Sequence, residues 1–276
     1  MSLNTRHDPI PRFGPAPAKA VSAAADDYVA FCESVRLTCG VDPLQYRRGQ
    51  MERRIRTWVE RRGGEDLAGY ARRLKREPAE LDAFLDRVTI NVWQFWRHPE
   101  QWKALGDSIL PELAERGRVR AWSAGCSYGA EAYTLAAVAR ESIPHARVEI
   151  RGTDLDRRMV ARAREGRFTQ DDARGAPAAS LRRWFPGGRA TEELRRLVSF
   201  EVGDLLRMPL RPATYDLVMC RNTVIYFTEE VRDALHRRLV EALRPGGYLV
   251  GGTSERVAAT RELGLTSPFH FIYRKG

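Results

Sequence analysis

The sequence of 276 residues predicts an α/β fold, in which a small all-α domain precedes a doubly wound, mostly parallel sheet with an antiparallel edge strand. The first observation is that strand-like apolar runs alternate with helical patterns from Arg118 onward, which is typical of parallel sheets. The second is that residues 26–90 show helical periodicity only. The third is that Gly125 and Gly129 lie where the first strand passes into a helix, and that Asp154 ends the next strand. A glycine turn followed by an acid is typical of a nucleoside site, although a loose glycine pattern is also found in plain tight turns.

The N-terminal region begins with residues 1–25, which are rich in Pro and Ala and predict a disordered lead-in. Helices are predicted after it, because apolar residues recur at helical spacing between Gly and Pro. The first runs from Asp26 to Cys39 with Tyr28, Phe31, Val35 and Leu37 as its apolar positions, the second runs from about Leu44 to Arg62, the third carries Leu67 and Leu74, and the fourth starts at Glu77. We interpret residues 26–90 as a helical bundle.

Positive charge is concentrated in this bundle. The chain has a formal net charge of +10, and residues 46–76 hold 11 basic and 4 acidic residues, which leaves +7. At a step of about 100° per residue, Arg53, Arg54, Arg56 and Arg61 fall away from the apolar face of the second helix. A charge run is usually a solvated face, but an imbalance of this size favours a docking surface for an acidic partner.

An aromatic-rich segment, residues 88–102, separates the bundle from the first strand. Such segments usually pack in a core, yet Asn91 and Arg97 would need polar partners there. The guanidinium of Arg97 suits a ligand carboxylate, because its fork binds both oxygens. A helix of about residues 100–116 is expected to follow.

The elements of the sheet domain follow in order. We predict a strand from Arg118, a helix to about Ala139, a strand over 148–154, a helix ending at Gly166, strands over 198–202 and 215–220, a helix from Thr228 to Leu243, a strand over 248–251 and a last, antiparallel strand over 269–273. A polar insertion at about 166–197 is expected to hold a short helix over 178–184 and a small hairpin.

Polar residues follow several of these strands. Gly125, Asp154, Asp204 and the pair Arg221-Asn222 each stand at a strand's carboxyl end. Because the carboxyl ends of parallel strands share one edge of a sheet, where ligands bind, these residues predict a single cofactor crevice.

Five motifs occur in order along the chain: 89–92 with 95–97, 122–131, 152–156, 220–227 and 243–248. Together they resemble the CheR-type chemoreceptor glutamate methyltransferases, over about residues 26–276. The resemblance implies a class I, Rossmann-like domain over 91–276 that binds S-adenosylmethionine, with a short inserted subdomain at about 166–197. In this family the subdomain can dock a receptor pentapeptide, and its trimmed form here favours action without one.

The resemblance also implies roles for individual residues. The cofactor-binding set would be Asn91, Arg97, Gly125, Glu131, Asp154, Asp204, Leu205, Arg221 and Asn222. Arg97 would hold the methionine carboxylate, Glu131 the ammonium and Asp154 the ribose hydroxyls. Asp204 and Leu205 would flank adenine, although Asp204 could instead cap a turn. Tyr226, Arg97 and Arg221 would be the catalytic set.

Some positions depart from the family pattern. Trp93 stands where Thr or Ser is common, Asp204 where Asn is usual, and Thr253 where His is common, while Ala130 and Ala132 replace Glu and Pro. Trp93 is expected in an aromatic lid over the cofactor, where an indole cannot replace the hydrogen bond of a hydroxyl. None of these changes removes Arg97, Glu131 or Asp154.

The implied partners are the acidic methylation helices of a chemoreceptor, docked by Arg53, Arg54, Arg56 and Arg61. We expect a monomer that needs no metal, binds no nucleic acid and does not insert into the membrane. Four scattered cysteines without a CxxC pair fit a reducing cytoplasm. Two alternatives remain: a nucleic-acid methyltransferase, and a non-catalytic module that senses S-adenosylmethionine or S-adenosylhomocysteine.

Overall fold

The computed structural model describes residues 26–63, 66–88 and 94–276. The predicted lead-in, and the predicted site positions Asn91 and Trp93, lie outside these ranges. Within them the N-terminal unit consists of helices α1 Asp27–Cys39, α2 Arg48–Arg61, α3 Leu67–Arg76 and α4 Pro78–Val88, with a 3-10 turn at Pro43–Gln45. The rings of Phe31, Tyr70 and Phe84 meet at centroid distances of 5.8 to 6.3 Å in its core.

Helix α1 begins and ends as its sequence predicts. The Asp26 side chain accepts a hydrogen bond from the Tyr28 N–H at 3.1 Å, and Gly40 ends the helix at a φ of 83°. Tyr28, Phe31 and Val35 are buried, but Leu37 is 76% exposed. The assignment of Leu37 to the apolar face was wrong, because two steps of about 100° from Val35 turn it toward solvent.

A seven-stranded sheet forms the second unit, with strand order β3-β2-β1-β4-β5-β7-β6. Its strands are β1 Arg118–Ala124, β2 Arg147–Asp154, β3 Val198–Val202, β4 Tyr215–Cys220, β5 Leu243–Gly251, β6 Leu265–Phe269 and β7 Ile272–Lys275. The first five pair in parallel, and β7 pairs antiparallel with β5 and β6. The predicted α/β class, with its mostly parallel sheet and antiparallel edge, is confirmed.

Helices cover both faces of this sheet. They are α5 Pro99–Ala104, α6 Leu110–Ala114, α7 Ala130–Ser142, α8 Arg157–Glu165, α9 Ala178–Trp184, α10 Glu192–Arg195 and α11 Glu229–Ala242, and a π-helical turn at Leu105–Ile109 joins α5 to α6. One hydrophobic cluster gathers α6 and α7 on one face, and another gathers α11 on the other. Nowhere in the described ranges is a helix both long and apolar enough to cross a bilayer.

Two strand assignments near the C-terminus were wrong. β5 begins at Leu243 rather than Tyr248, because Leu243 pairs with Tyr215 before a register shift. The single strand expected over 269–273 is the hairpin of β6 and β7, with Phe271 in its turn at a φ of 55°.

The insertion contains α9 at the predicted residues, but the small hairpin expected there was wrong. Arg167 and Arg189 form one isolated antiparallel bridge, and α10 follows. The chain turns at Pro186–Gly188, where Gly187 and Gly188 have positive φ values of 62° and 73° that glycine adopts readily, and the turn does not continue into paired strands.

Contacts at Tyr46 and at Arg158 are among those that join the helical unit to the sheet unit. Tyr46 forms an antiparallel bridge with Phe227, after β4. On α8, the Arg158 guanidinium lies 3.3 Å from Asp82 and 3.0 Å from Asp86 of α4. These contacts place Arg53 and Arg54 of α2 next to Tyr226, in the loop after β4 at the carboxyl edge of the sheet.

Candidate functional site

Strand register brings the predicted site residues to one edge of the sheet. Ala124 pairs with Thr153, Asp154 with Val202, and Cys220 with Gly251. The residues that follow these strands therefore stand side by side. They include Gly125, Asp204, Arg221 and Asn222.

The glycine turn is held against the end of β2. The N–H groups of Gly125 and Cys126 donate to the Thr153 carbonyl at 2.8 and 3.0 Å. Gly125 has a φ of 80°, and a Cβ there would come within 2.5 Å of the Thr223 hydroxyl. A glycine is thus required by the turn and by its contact with the loop after β4.

Backbone N–H groups of the neighbouring loops hold the Asp154 carboxylate in place. It accepts hydrogen bonds from the N–H groups of Ser127 at 2.7 Å and Asp156 at 2.9 Å. Burial raises the pKa of Asp154 to about 6, although these N–H groups lower it. A carboxylate has about four lone-pair sites, so Asp154 keeps acceptor capacity that a ligand hydroxyl could use.

Glu131 and Arg221 form a fully buried ion pair. The Glu131 carboxylate accepts from Ser123 Oγ at 2.7 Å and lies 3.4 Å from an Arg221 nitrogen. The Arg221 guanidinium also donates to the Arg97 carbonyl oxygen and lies 5.3 Å from the Trp102 ring centroid. Sequence reasoning placed Glu131 and Arg221 in one site but did not predict this pair, which spans 90 residues.

The backbone around Arg97 is constrained. Trp96 and His98 have positive φ values of 53° and 62°, which residues other than glycine rarely adopt. The Arg97 carbonyl also accepts from Trp102 Nε1 at 2.9 Å. Strain of this kind persists only where neighbouring contacts impose it, and it fixes the half-buried Arg97 beside Arg221.

Glu255 organises the loop after β4, and it is not among the site residues that the sequence analysis predicts. Its buried carboxylate accepts from the N–H groups of Asn222 (2.6 Å), Val224 (2.9 Å), Ile225 (3.2 Å) and Gly252 (2.8 Å). Burial raises the pKa of Glu255 while these N–H groups lower it. An acid one residue past Ser254, after the last parallel strand, was the available signal, but its target could not be read from spacing.

Asn222 follows Arg221 in the loop after β4. Its backbone adopts a φ of 58°, and its Oδ1 is buried yet accepts no hydrogen bond from the part of the chain that the structure describes. A buried acceptor without a partner is costly unless a ligand or water supplies a donor.

Asp204 and Leu205 follow β3. One Asp204 oxygen accepts from the Leu206 N–H at 2.9 Å, so this carboxylate does cap a turn. Its other oxygen lies 3.6 Å from Arg207, which also lies 3.7 Å from Asp42 of the helical unit.

Tyr226 lies at the junction of the two units, in the 3-10 turn Val224–Tyr226. It lines a cavity of 380 Å³ whose other walls come from Tyr46, Arg47, Gln50, Met51, Arg53, Arg54, Thr57 and Arg87. Burial raises the pKa of Tyr226, while the positive charges of Arg54 and Arg97 lower it. The phenol thus lies within the field of arginines from both units.

The structure divides the four arginines predicted to dock a partner. Arg53 and Arg54 line the cavity beside Tyr226, and Arg61 is exposed. Arg56 instead pairs with Asp27 at 2.7 Å and Glu52 at 2.8 Å, so its charge is largely compensated within the helical unit.

Comparisons with known proteins agree with this architecture. Residues 91–268 match the family model described as CheR methyltransferase, SAM binding domain, and residues 26–89 match CheR methyltransferase, all-alpha domain. A chemotaxis protein methyltransferase of Listeria monocytogenes is 32% identical over 255 residues, which cover 90% of this chain and 97% of that protein. Chemotaxis protein methyltransferase 1 of Pseudomonas aeruginosa is 31% identical over 251 residues, covering 85% and 92%. That of Salmonella typhimurium is 28% identical over 250 residues, covering 85% of each chain.

Proposed function

The chain belongs to the CheR methyltransferase family, and we propose that it transfers a methyl group from S-adenosylmethionine to glutamate side chains of chemoreceptors. The observation that carries the proposal is the position of Tyr226. It lines the cavity together with Arg53, Arg54 and Arg87, and it stands in the loop that follows β4, as do Arg221 and Asn222. An acidic protein segment in that cavity would bring a carboxylate to the cofactor.

The described residues fit S-adenosylmethionine. The Asp154 carboxylate has lone pairs for ribose hydroxyls, and the buried Asn222 Oδ1 would gain a donor from the ligand. The Arg97 guanidinium, beside the sheet edge, would bind the methionine carboxylate. Asp204 and Leu205 would flank adenine, and Gly125 would leave the backbone close to the ligand; Asn91 remains a proposed contact on the strength of the resemblance.

When bound, the cofactor supplies a methyl group on a sulfonium, and its transfer to a carboxylate oxygen leaves S-adenosylhomocysteine and a methyl ester. A glutamate is already ionised at neutral pH, so no general base is required. The chain's task is to hold the carboxylate in line and out of water. We assign this orientation to Tyr226, aided by Arg97.

Arg221 serves best as a positioning residue. Its guanidinium is committed to Glu131 and to the Arg97 carbonyl, and it is fully buried. Such a cation fixes the Arg97 backbone and does not pair with the substrate carboxylate. A strong ion pair with Arg221 would lower the nucleophilicity of that carboxylate. Glu131 neutralises the charge of Arg221. The methionine ammonium would be the second cation to pair with Glu131, beside Arg221.

Methyl transfer to receptor cytoplasmic fragments tests the proposal. Radiolabelled S-adenosylmethionine should give a base-labile label on the fragment, and replacing its methylated glutamates by alanine should remove the label. Asp154→Ala should abolish both labelling and S-adenosylhomocysteine binding in calorimetry, because the ribose loses its acceptor. Arg157→Ala, an exposed neighbour on α8, should leave both unchanged.

The two alternatives give other results. A label on RNA or DNA and none on the receptor would show a nucleic-acid methyltransferase. S-adenosylhomocysteine binding without any transfer would show a sensing module. Either result would overturn the proposed substrate.

A further inference from the structure

Tyr46 is the point at which the helical unit enters the edge of the sheet unit. The Arg47 N–H donates to the Tyr226 carbonyl at 2.9 Å, and the Thr228 N–H donates to the Gln45 carbonyl at 3.0 Å. The Tyr46 ring lies 5.1 Å from the Phe227 ring, centroid to centroid. It packs against the hydrophobic clusters of both units.

The surroundings of Tyr46 are those of the nucleoside end of the site. Its phenol lies in the field of Asp154, after β2, and Asp204, after β3. Burial raises the pKa of Tyr46, and the charges of these acids and of Asp42 raise it further, so the hydroxyl stays protonated and can donate.

A second link attaches the same segment to the same strand ends. Arg207 lies 3.7 Å from Asp42 and 3.6 Å from Asp204, and so joins the start of the segment to the predicted adenine contact. Residues 42–47 are therefore attached at both ends to the carboxyl edge of the sheet.

We infer that residues 42–47 form the wall of the cofactor site at its nucleoside end, and that Tyr46 hydrogen-bonds the adenosine portion through its hydroxyl. This inference rests on the proposed cofactor. An aromatic ring with a polar tip suits adenosine, because the ring covers an apolar face while the hydroxyl meets a polar edge. The helical unit that carries the basic docking face would then also complete the cofactor site.

Two ligands separate the nucleoside end from the amino-acid end. S-adenosylhomocysteine has both, whereas 5′-methylthioadenosine lacks the amino and carboxyl groups. Tyr46→Leu keeps apolar bulk against both clusters and should weaken both ligands by the same factor, about tenfold, in calorimetry. Tyr46→Phe removes only the hydroxyl and should weaken both by ~5-fold.

Two control variants accompany these, one at the amino-acid end of the ligand and one at an exposed position. Arg97→Ala should weaken S-adenosylhomocysteine and leave 5′-methylthioadenosine unchanged. Leu37→Ala, an exposed position on α1 outside this segment, should change neither. Thermal unfolding of each variant shows whether it is folded.

Wild-type affinity of Tyr46→Phe for both ligands would overturn the inference, as would a loss in Tyr46→Leu that is confined to S-adenosylhomocysteine. If Tyr46→Leu does not fold, Tyr46→Phe decides the question. Wild-type protein that binds neither ligand would contradict the proposed cofactor itself, which is a different failure.

Discussion

At the scale of single residues, Asp154 carries a testable pH dependence. Its pKa of about 6 in the fold lies above its ordinary value of 3.8, since burial disfavours the charge. The neutral acid therefore stabilises the free protein at low pH, and this contribution is lost as the pH rises through about 6. A ribose hydroxyl prefers the ionised form, so a ligand should bind more weakly below that pH.

Calorimetry of S-adenosylhomocysteine binding between pH 5 and pH 8 checks this sign. Affinity should fall by up to about tenfold per pH unit below the pKa. Asp154→Asn should bind more weakly throughout and show a flatter profile. An equally steep profile in Asp154→Asn would assign the titration to another group.

Two other buried charges, those of Glu255 and Arg221, are compensated by the groups that surround them. Glu255 stays buried because several backbone N–H groups converge on it, and Arg221 because Glu131 and the Arg97 carbonyl do. Removing one member of such a set leaves the others unsatisfied, which usually costs more than the contact itself contributes. These side chains therefore fix the loops that present Asn222 and Arg97.

At the scale of elements, α8 attaches to α4 through Arg158. Its guanidinium lies near Asp82, Asp86 and Asp156, and it donates to the Asp82 carbonyl at 2.8 Å. Asp82 and Asp86 are more than half exposed, so solvent screens these pairs and each contributes little. Asp156 also caps α8, so the attachment adjoins the loop that holds Asp154.

Arg158→Ala should lower the free energy of unfolding by about 1 kcal/mol, and thermal unfolding should show a shift of ~2–4 °C. Arg157→Ala on the same helix is the matched control and should change stability by less than about 0.5 kcal/mol. The attachment is unimportant if both variants unfold at the wild-type temperature.

At the scale of the whole molecule, charge is distributed unevenly. The net charge is +10, and residues 46–76 hold +7 of it by themselves. Part of this charge is paired within the helical unit, as at Arg56, while Arg53 and Arg54 line the cavity beside Tyr226. Partner docking, rather than cofactor binding, should therefore respond to salt.

Steady-state methylation of a receptor fragment tests the docking face. Arg53→Glu should raise the KM for the receptor by about tenfold and leave affinity for S-adenosylhomocysteine unchanged, because charge reversal costs ~1.4 kcal/mol of attraction. Arg72→Glu makes the same change in net charge at an exposed position of α3. An equal rise in KM for both variants would mean that net charge matters and that the face beside Tyr226 does not.

The sequence alone determined the α/β class and most elements, because periodicity and glycine or proline punctuation are local properties. It also placed Asp154, Asp204 and Arg221 at one edge, because parallel strands end on one side of a sheet. Local signals failed at β5 and at the final hairpin, where pairing between strands sets the boundaries.

Which side chains meet depends on the packing of the folded chain. The pairing of Glu131 with Arg221, the backbone groups gathered by Glu255, and the approach of Tyr46 to Phe227 join residues that are far apart in the chain. Such contacts depend on how packed layers and units are oriented, and spacing along a strand or helix does not encode that orientation. The sequence thus predicted a cofactor edge and a basic helix, and the fold brought them together at Tyr226.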